Sequence, residues 1–126
     1  MSHVTFPKPE KLKTVKGRKR RAEKSVKTVI REIVAERDGY CRLAKDGMAG
    51  CQGESEWAHL PGTTRAQTRG MKPERRHTTA GTVMACTRHH DHIDGRRAPK
   101  IRPELGPYGA DGEISWRLGV RVAVGQ

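Results

Sequence analysis

The stretch Cys86-Thr-Arg-His-His-Asp-His-Ile-Asp-Gly95 contains one cysteine, three histidines and two aspartates within nine residues. Thiolates, imidazoles and carboxylates are the side chains that bind divalent metal ions in proteins. Further candidates of the same types lie upstream, at Cys41, Cys51, His59 and His77. This density of possible ligands predicts two metal functions, one that stabilises the fold and one that takes part in a reaction.

The size of the chain also favours a structural metal. The chain has 126 residues, of which 33% are hydrophobic and 4% aromatic, so one small domain with a thin core is predicted. Domains of this kind commonly need a disulfide or a metal. No segment resembles a signal peptide or a membrane span, so a cytoplasmic protein is expected. In that reducing compartment the three cysteines indicate metal binding, and the simpler alternative is three unrelated buried thiols.

The charge of the chain indicates a polyanionic partner. The formal net charge is +12, and ten of the 26 lysines and arginines lie in residues 1–27, against Glu10 and Glu23. Nucleic acid is the usual partner of such a protein. The alternative is that a basic tail only confers solubility or nonspecific attraction, although that attraction would act mainly on phosphate backbones.

The sequence pattern divides the chain into a tail, a domain and an extension. Residues 1–22 are predicted to be a basic disordered tail, because they contain almost nothing to bury. Residues 23–100 are predicted to form the domain. Residues 101–126 are predicted to extend it, and strands are expected at 114–118 and 120–124 after a basic, proline-containing stretch at 96–107.

Within the domain, the periodicity predicts a helix from about Glu23 to Asp38. Its apolar face would consist of Val26, Val29, Ile30, Ile33 and Val34. An irregular knuckle (residues 40–53) follows it. The pattern then predicts strands at 54–59 and 82–85, joined by a long polar loop at 60–81, and a helix over 87–93. A loop of that length in a small domain is usually functional.

Cys86 and His89 have the spacing of one half of a structural zinc site, at the predicted start of a helix. Two further ligands must come from another segment. Cys41 and Cys51 are the remaining thiols, although their separation exceeds the usual two to four residues. We therefore expect a structural Zn²⁺ bound by Cys41, Cys51, Cys86 and His89.

A second site is predicted on another face of the same helix. His90 and Asp94 are four residues apart and share a face, whereas His89 points elsewhere. The order strand, loop, strand, helix can bring His59 opposite that face. A divalent ion on His90 and Asp94 would bind scissile phosphate oxygens, and the unbound imidazole of His59 would take a proton from water.

Three segments together resemble the HNH endonucleases: Arg37-Asp-Gly-Tyr-Cys41, Trp57-Ala-His-Leu60 and Thr82-Val-Met-Ala-Cys-Thr-Arg-His-His-Asp-His-Ile-Asp-Gly95. The resemblance covers roughly residues 30–97. It implies an α+β fold in which a ββα-metal (His-Me finger) active site is built on a treble-clef zinc knuckle. It also implies hydrolysis of DNA phosphodiester bonds that leaves a 5′-phosphate. Small basic members of the family are common in bacteriophages and bacteria.

The resemblance implies a role for each matching residue. His59 would be the general base, and His90 and Asp94 would bind the catalytic ion, which can be Mg²⁺, Mn²⁺, Ni²⁺ or Zn²⁺. The structural zinc ligands would be Cys41, Cys51, Cys86 and His89, the last of which replaces a second cysteine.

The chain departs from the HNH pattern at two positions. Ala58 stands where an acidic or histidine ligand often precedes the first histidine. Gly81-Thr82 stands where an asparagine normally orients the base or binds metal. The Thr82 hydroxyl or His77 is expected to take that role, and we favour His77, as a metal or phosphate contact. The alternative is that His77 is a loop histidine without a functional role. His92 is expected at the surface.

The expected function is therefore metal-dependent cleavage of DNA with weak sequence preference, because phosphate contacts carry no sequence information. RNA is an open alternative substrate, no membrane is expected as a partner, and the oligomeric state is open. A zinc-stabilised nucleic-acid-binding protein without catalysis, and an accessory of a larger phage or bacterial packaging or recombination machine, are the other candidates. The predicted phosphate contacts are Arg18, Lys19, Arg20, Arg21, Arg65, Arg69, Arg75 and Arg76.

Overall fold

Four short strands form two separate antiparallel sheets, and helices pack around the first of them in a mixed α+β structure. The computed structural model describes residues 15–64 and 66–119, with side chains described from Arg20 onward. The predictions for residues 1–14, the side chains of Arg18 and Lys19, Arg65 and the strand at 120–124 lie outside these residues. The elements are α1 (Val15–Asp38), α2 (Arg42–Lys45), β1 (Ser55–His59), α3 (Pro73–Arg76), β2 (Thr82–Cys86), α4 (Thr87–Asp94), β3 (Ile101–Leu105), a 3₁₀ turn (Gly109–Asp111) and β4 (Ile114–Leu118).

Helix α1 begins at Val15, eight residues before the start predicted at Glu23. Residues 15–22 therefore belong to the helix and not to the predicted disordered tail. Their lysines and arginines have high helix propensity, so a hydrophilic segment can continue the helix. The helix ends at Gly39, whose φ of 71° is the left-handed conformation that commonly terminates helices.

The apolar face of α1 is buried only near the end of the helix. Val34 is fully buried and Val26 and Ile30 are half-buried, but Val29 and Ile33 are 54% and 47% exposed. The prediction that all five apolar residues face the core is wrong for these last two. A helix of 24 residues is about 36 Å long, and this length exceeds what the thin core of a small domain can cover.

Strands β1 and β2 and helix α4 follow the predicted order of strand, loop, strand and helix. The strands pair from Ser55 with Cys86 to His59 with Thr82. All five residues of β2 are buried, because the strand lies between α1, α2, β1 and α4. The chain enters α4 directly from β2, and a left-handed Gly95 ends that helix. Short helices α2 and α3 interrupt the predicted knuckle and the predicted loop.

The predicted strand at 114–118 is confirmed as β4, and it pairs with a strand that the sequence pattern did not predict. Residues 114–118 pair with β3, from Ile101 opposite Leu118 to Leu105 opposite Ile114. β3 lies within the basic, proline-containing stretch at 96–107, for which no strand was predicted, and it contains Pro103. A two-stranded sheet has free edges, so a proline without an N–H group is tolerated in it. Ile101 and Ile114 are buried and join the hairpin to the core.

A buried ionic network supplements this core. The side chain of Asp38 is fully buried and accepts hydrogen bonds from Arg37 at 2.6 and 2.9 Å, from Arg42 at 3.0 Å and from the Met84 amide at 3.0 Å. Arg42 also donates to the carbonyl of Ala110 at 2.8 Å. One carboxylate thus connects the end of α1, α2, β2 and the 3₁₀ turn.

Replacement of Asp38 by alanine is expected to destabilise the protein by about 3 kcal/mol, because it leaves Arg42 buried and Arg37 half-buried with only the more exposed carboxylates of Asp46 and Asp111. Chemical denaturation measures the loss. Glu104→Ala is the matched control, since its partner Arg117 is exposed and such pairs contribute less than about 1 kcal/mol. Equal losses in the two variants would contradict the role given to Asp38.

Candidate functional site

The predicted zinc ligands converge. The sulfur atoms of Cys41, Cys51 and Cys86 lie 3.4, 3.7 and 3.4 Å from Nδ1 of His89. One ligand atom from each of the four residues lies within 4.8 Å of the others. Within residues 15–64 and 66–119 this is the one such group of three or more cysteine, histidine or acidic residues.

The knuckle closes on the start of α4 in spite of the long separation of Cys41 and Cys51. Helix α2 takes up part of that separation, and the carbonyls of Gln52 and Glu54 accept hydrogen bonds from the first amides of α4, at 3.1 and 3.0 Å. A Cβ on Gly53 would lie 2.5 Å from Cβ of Thr87, so a glycine is needed for this approach.

The geometry of the cluster fits a tetrahedral metal ion. With Zn–S of about 2.3 Å and Zn–N of about 2.0 Å, a tetrahedral site separates sulfur from nitrogen by about 3.5 Å. Nε2–H of His89 donates to the Ala49 carbonyl at 3.1 Å, and this leaves the lone pair on Nδ1, the atom that faces the sulfurs. The four residues can hold a metal ion such as Zn²⁺.

The ionisation of the thiols leads to the same conclusion. Burial, together with the neighbouring thiol groups of Cys86 and Cys41, raises the pKa of Cys51 to about 12. Burial would also raise the pKa of Cys86, but hydrogen bonds from the amides of His89 and Gln52 lower it. Three thiolates at this separation repel one another, and a divalent cation removes that repulsion.

A chain of polar contacts leads away from His59. Nε2 of His59 lies 2.9 Å from Nδ1 of His77, and Nε2 of His77 lies 2.8 Å from the Glu23 carboxylate. Glu23 is also paired with Arg76 at 3.2 Å. We refer to Glu23, His77 and His59 as the histidine chain. His77, which was predicted to contact metal or phosphate, is 5% exposed and contacts His59 instead.

The contacts of the histidine chain determine which nitrogen of His59 carries a lone pair. The Glu23 carboxylate can only accept, so Nε2–H of His77 donates to it. When His77 is neutral, its Nδ1 accepts from Nε2–H of His59. In that state the lone pair of His59 is on Nδ1, which has no hydrogen-bond partner among the described residues.

Burial lowers the pKa of His59 from 6.5 to about 4, with contributions from the charges of His77, Lys27, Arg76 and His90. His59 is consequently neutral at pH 7. A neutral imidazole with an accessible lone pair is the form that accepts a proton.

His90 lies between two carboxylates. Its Nδ1 is 2.7 Å from Glu56 and its Nε2 is 3.3 Å from Asp94. The hydrogen bond from His90, with a second from Thr87, lowers the pKa of Glu56. If Nδ1–H donates to Glu56, the lone pair on Nε2 faces the Asp94 carboxylate, an arrangement that a cation between them would stabilise.

His59 and Asp94 line a common cavity of about 330 Å³, together with Thr64, Gln67 and Lys100. The expectation that the fold brings His59 towards the end of α4 therefore holds for Asp94. His90 contacts Asp94 but does not itself line the cavity. On its other side, His59 borders a second cavity of about 270 Å³ with its histidine-chain partners and Lys27.

Sequence reasoning missed Glu23 and Glu56 and misplaced His92. Glu56 is two residues before Ala58 on β1, and strand alternation places both on one face, so a substitute for the missing acidic residue was detectable. Glu23 had no such signal, because only the packing of α1 brings it to His77. His92 is buried, not exposed, because the C-terminal hairpin packs on α4, and its Nδ1–H donates to the Pro99 carbonyl at 2.9 Å.

The arginines predicted to bind phosphate have different environments. Arg20, Arg21, Arg69 and Arg75 are exposed, whereas Arg76 is half-buried and paired with Glu23. Among the described residues no helix has the length and apolar character that a membrane crossing requires.

Comparison with known proteins gives no relative of the chain. No protein-family model, curated protein or solved structure matches it.

One tightly bound zinc per chain is expected in the purified protein, measured by elemental analysis. Its removal by a strong chelator should unfold the domain, because structural zinc contributes about 10–16 kcal/mol and small domains are stable by about 5–15 kcal/mol. Cys41→Ser should lose the metal, while His92→Gln, which changes the buried histidine of α4 outside the cluster, should keep it. Retention of the metal by Cys41→Ser would contradict the ligand set.

Acid should destabilise the protein through His59. Folding lowers the pKa of His59 from 6.5 to about 4, so between these pH values the unfolded chain binds a proton that the folded chain does not. The free energy of unfolding therefore decreases as the pH is lowered through this range. When the pH is lowered from neutral to about 5, the free energy of unfolding of His59→Gln should decrease by about 1 kcal/mol less than that of the parent. This figure allows for solvent screening of the partly exposed ring. Thermal unfolding at the two pH values tests this, and equal losses would argue against the shifted pKa.

Proposed function

We propose that the chain is a metal-dependent endonuclease of the HNH type, with a ββα-metal site on a treble-clef zinc knuckle, that hydrolyses DNA phosphodiester bonds. The observation that carries the proposal is the common cavity of His59 and Asp94, on whose far side the histidine chain contacts Nε2 of His59. A base without a proton and a metal-binding carboxylate then border one space in which a phosphate can lie.

In this proposal His59 takes a proton from the attacking water at Nδ1. The charge that develops on its ring strengthens the hydrogen bond from Nε2–H to His77. The negative charge of Glu23, 2.8 Å beyond His77, stabilises the protonated pair. His77 and Glu23 therefore act as positioning residues, and they fill the place that an asparagine has in the HNH pattern.

Nε2 of His90 and the Asp94 carboxylate would hold the catalytic ion, with Mg²⁺ as the expected ion and Mn²⁺, Ni²⁺ or Zn²⁺ as alternatives. When bound, such an ion neutralises phosphate charge and stabilises the leaving oxygen. Glu56 keeps Nδ1 of His90 protonated and so orients its ring. The zinc cluster supports this site, since Cys86 and His89 fix the first turn of the helix that carries His90 and Asp94.

The charge of the chain supports DNA as the substrate. A net charge of +12 favours a phosphate polyanion, and contacts to its backbone bind without reading sequence. A protein that binds nucleic acid without cutting it would explain the charge and the zinc cluster equally well. It would leave the histidine chain, with His77 buried at its centre, without a function. Participation in a larger phage or bacterial DNA-processing machine is compatible with either activity.

Nicking of supercoiled plasmid with Mg²⁺ or Mn²⁺ tests the proposal. His59→Ala should lower the rate by about 10²–10⁴-fold, because it removes the base, and His90→Ala should lower it as well. Both variants should retain zinc and DNA binding. His92→Gln is the matched control from the same helix and should cut at the parent's rate. Cleavage by His59→Ala at the parent's rate would disprove the role of His59, and absence of cleavage by the parent would favour the binding protein.

The same assay separates positioning from binding. Glu23→Ala should lower kcat, because it disturbs the base, and should not raise KM, because Arg76 is released from Glu23 and stays able to contact DNA. Glu23→Gln retains an oxygen that accepts from His77, so it should recover part of the loss.

A further inference from the structure

A large groove lies on the C-terminal hairpin, and most of its lining residues follow the region that resembles HNH endonucleases. Its volume is about 1040 Å³, and Pro99 and Leu118 form part of its apolar surface. Arg97, Lys100 and Arg102 supply all the charged groups among its lining residues. We refer to this feature as the hairpin groove.

The three cations of the hairpin groove are exposed and unpaired. Among the salt bridges of the described residues, none involves Arg97, Lys100 or Arg102. The neighbouring Arg96 and Arg117, in contrast, are each paired with a carboxylate. The groove thus concentrates positive charge that the described part of the chain does not neutralise.

The strand register adds a second observation. Arg102 on β3 lies directly opposite Arg117 on β4. Like charges in this arrangement destabilise a strand pair. Glu104 compensates Arg117 at 3.0 Å, but among the described residues no carboxylate compensates Arg102. Arg102 is therefore the member of this pair whose charge is left for an external anion.

Lys100 connects the hairpin groove with the cavity of His59 and Asp94, because it lines both. Its side chain lies about 4 Å from the position of a Cβ on Gly95, at the end of α4. A ligand in the groove can therefore continue past Lys100 into the cavity without leaving the protein surface.

We infer that the hairpin groove binds the phosphodiester backbone of the DNA on one side of the cleaved bond. The identity of the polyanion as DNA rests on the proposed function; the anionic backbone as ligand rests on the groove itself. The cations of the groove contact phosphates, and Pro99 and Leu118 contact the sugar surfaces between them. Phosphate binding is thus extended to a part of the chain whose sequence gave no motif for it.

Fluorescence anisotropy of a labelled DNA duplex, without added divalent ion and in the His59→Ala background, tests this inference. Arg97→Ala and Arg102→Ala should each weaken binding and reduce the slope of log Kd against log salt by about one, as expected for one lost phosphate contact. The matched control is Arg117→Ala, which removes the same charge from the same hairpin but does not line the groove. It should leave the slope unchanged.

Three results would overturn the inference. Equal effects of Arg102→Ala and Arg117→Ala would show that binding follows net charge alone and would overturn it. A groove occupied by a second copy would also overturn it, and would appear in sedimentation as a dimer that Leu118→Lys dissociates. A groove covered by residues 120–126 would overturn it too, and a chain ending at Gly119 would then bind DNA more tightly than the full chain.

The readout is binding and not cleavage, so the two proposals fail separately. A slope of log Kd against log salt that falls by about one in Arg97→Ala and in Arg102→Ala supports DNA binding in the groove even if the parent cuts no plasmid. Unchanged slopes in both variants overturn the groove even if the parent is an active nuclease.

Discussion

The convergence of three cysteine sulfurs on Nδ1 of His89 is the contact on which the other parts of the structure depend. Cys41 comes from the end of α1, Cys51 from the knuckle, and Cys86 and His89 from the junction of β2 and α4. A metal ion bound there would connect these three segments, which the thin core by itself holds only in part. The buried Asp38 network fixes the same region from the other side of β2 through its contact with the Met84 amide.

Helix α4 connects the cysteine cluster with the candidate reaction site. His89 faces the sulfur cluster, while its neighbour His90 faces Glu56 on β1 and Asp94 one turn later. Consecutive residues of a helix point about 100° apart, so one short helix can serve a structural ion and a reactive one. The long helix α1 has a corresponding second use, because Glu23 in its middle supports His77 and thereby His59.

Positive charge is distributed around this centre in three ways. The exposed arginines of α1 and of the loop before β2 have no salt bridge among the described residues. Arg76 is paired with Glu23. The hairpin groove contains three cations beside the cavity of His59 and Asp94. The distinction matters because only unpaired cations gain from contact with a phosphate. A paired arginine must first lose the carboxylate that it neutralises.

The sequence alone determined which residues can bind metal, the order of β1, β2 and α4, and the different directions in which His89 and His90 face. Those properties depend on side-chain chemistry and on local periodicity, and both can be read from neighbouring residues. Tertiary structure decided the rest. It selected β3 as the partner of β4, exposed Val29 and Ile33, buried His92, and brought Glu23 to His77. Each of these results depends on packing between segments far apart in the chain, which no local pattern records.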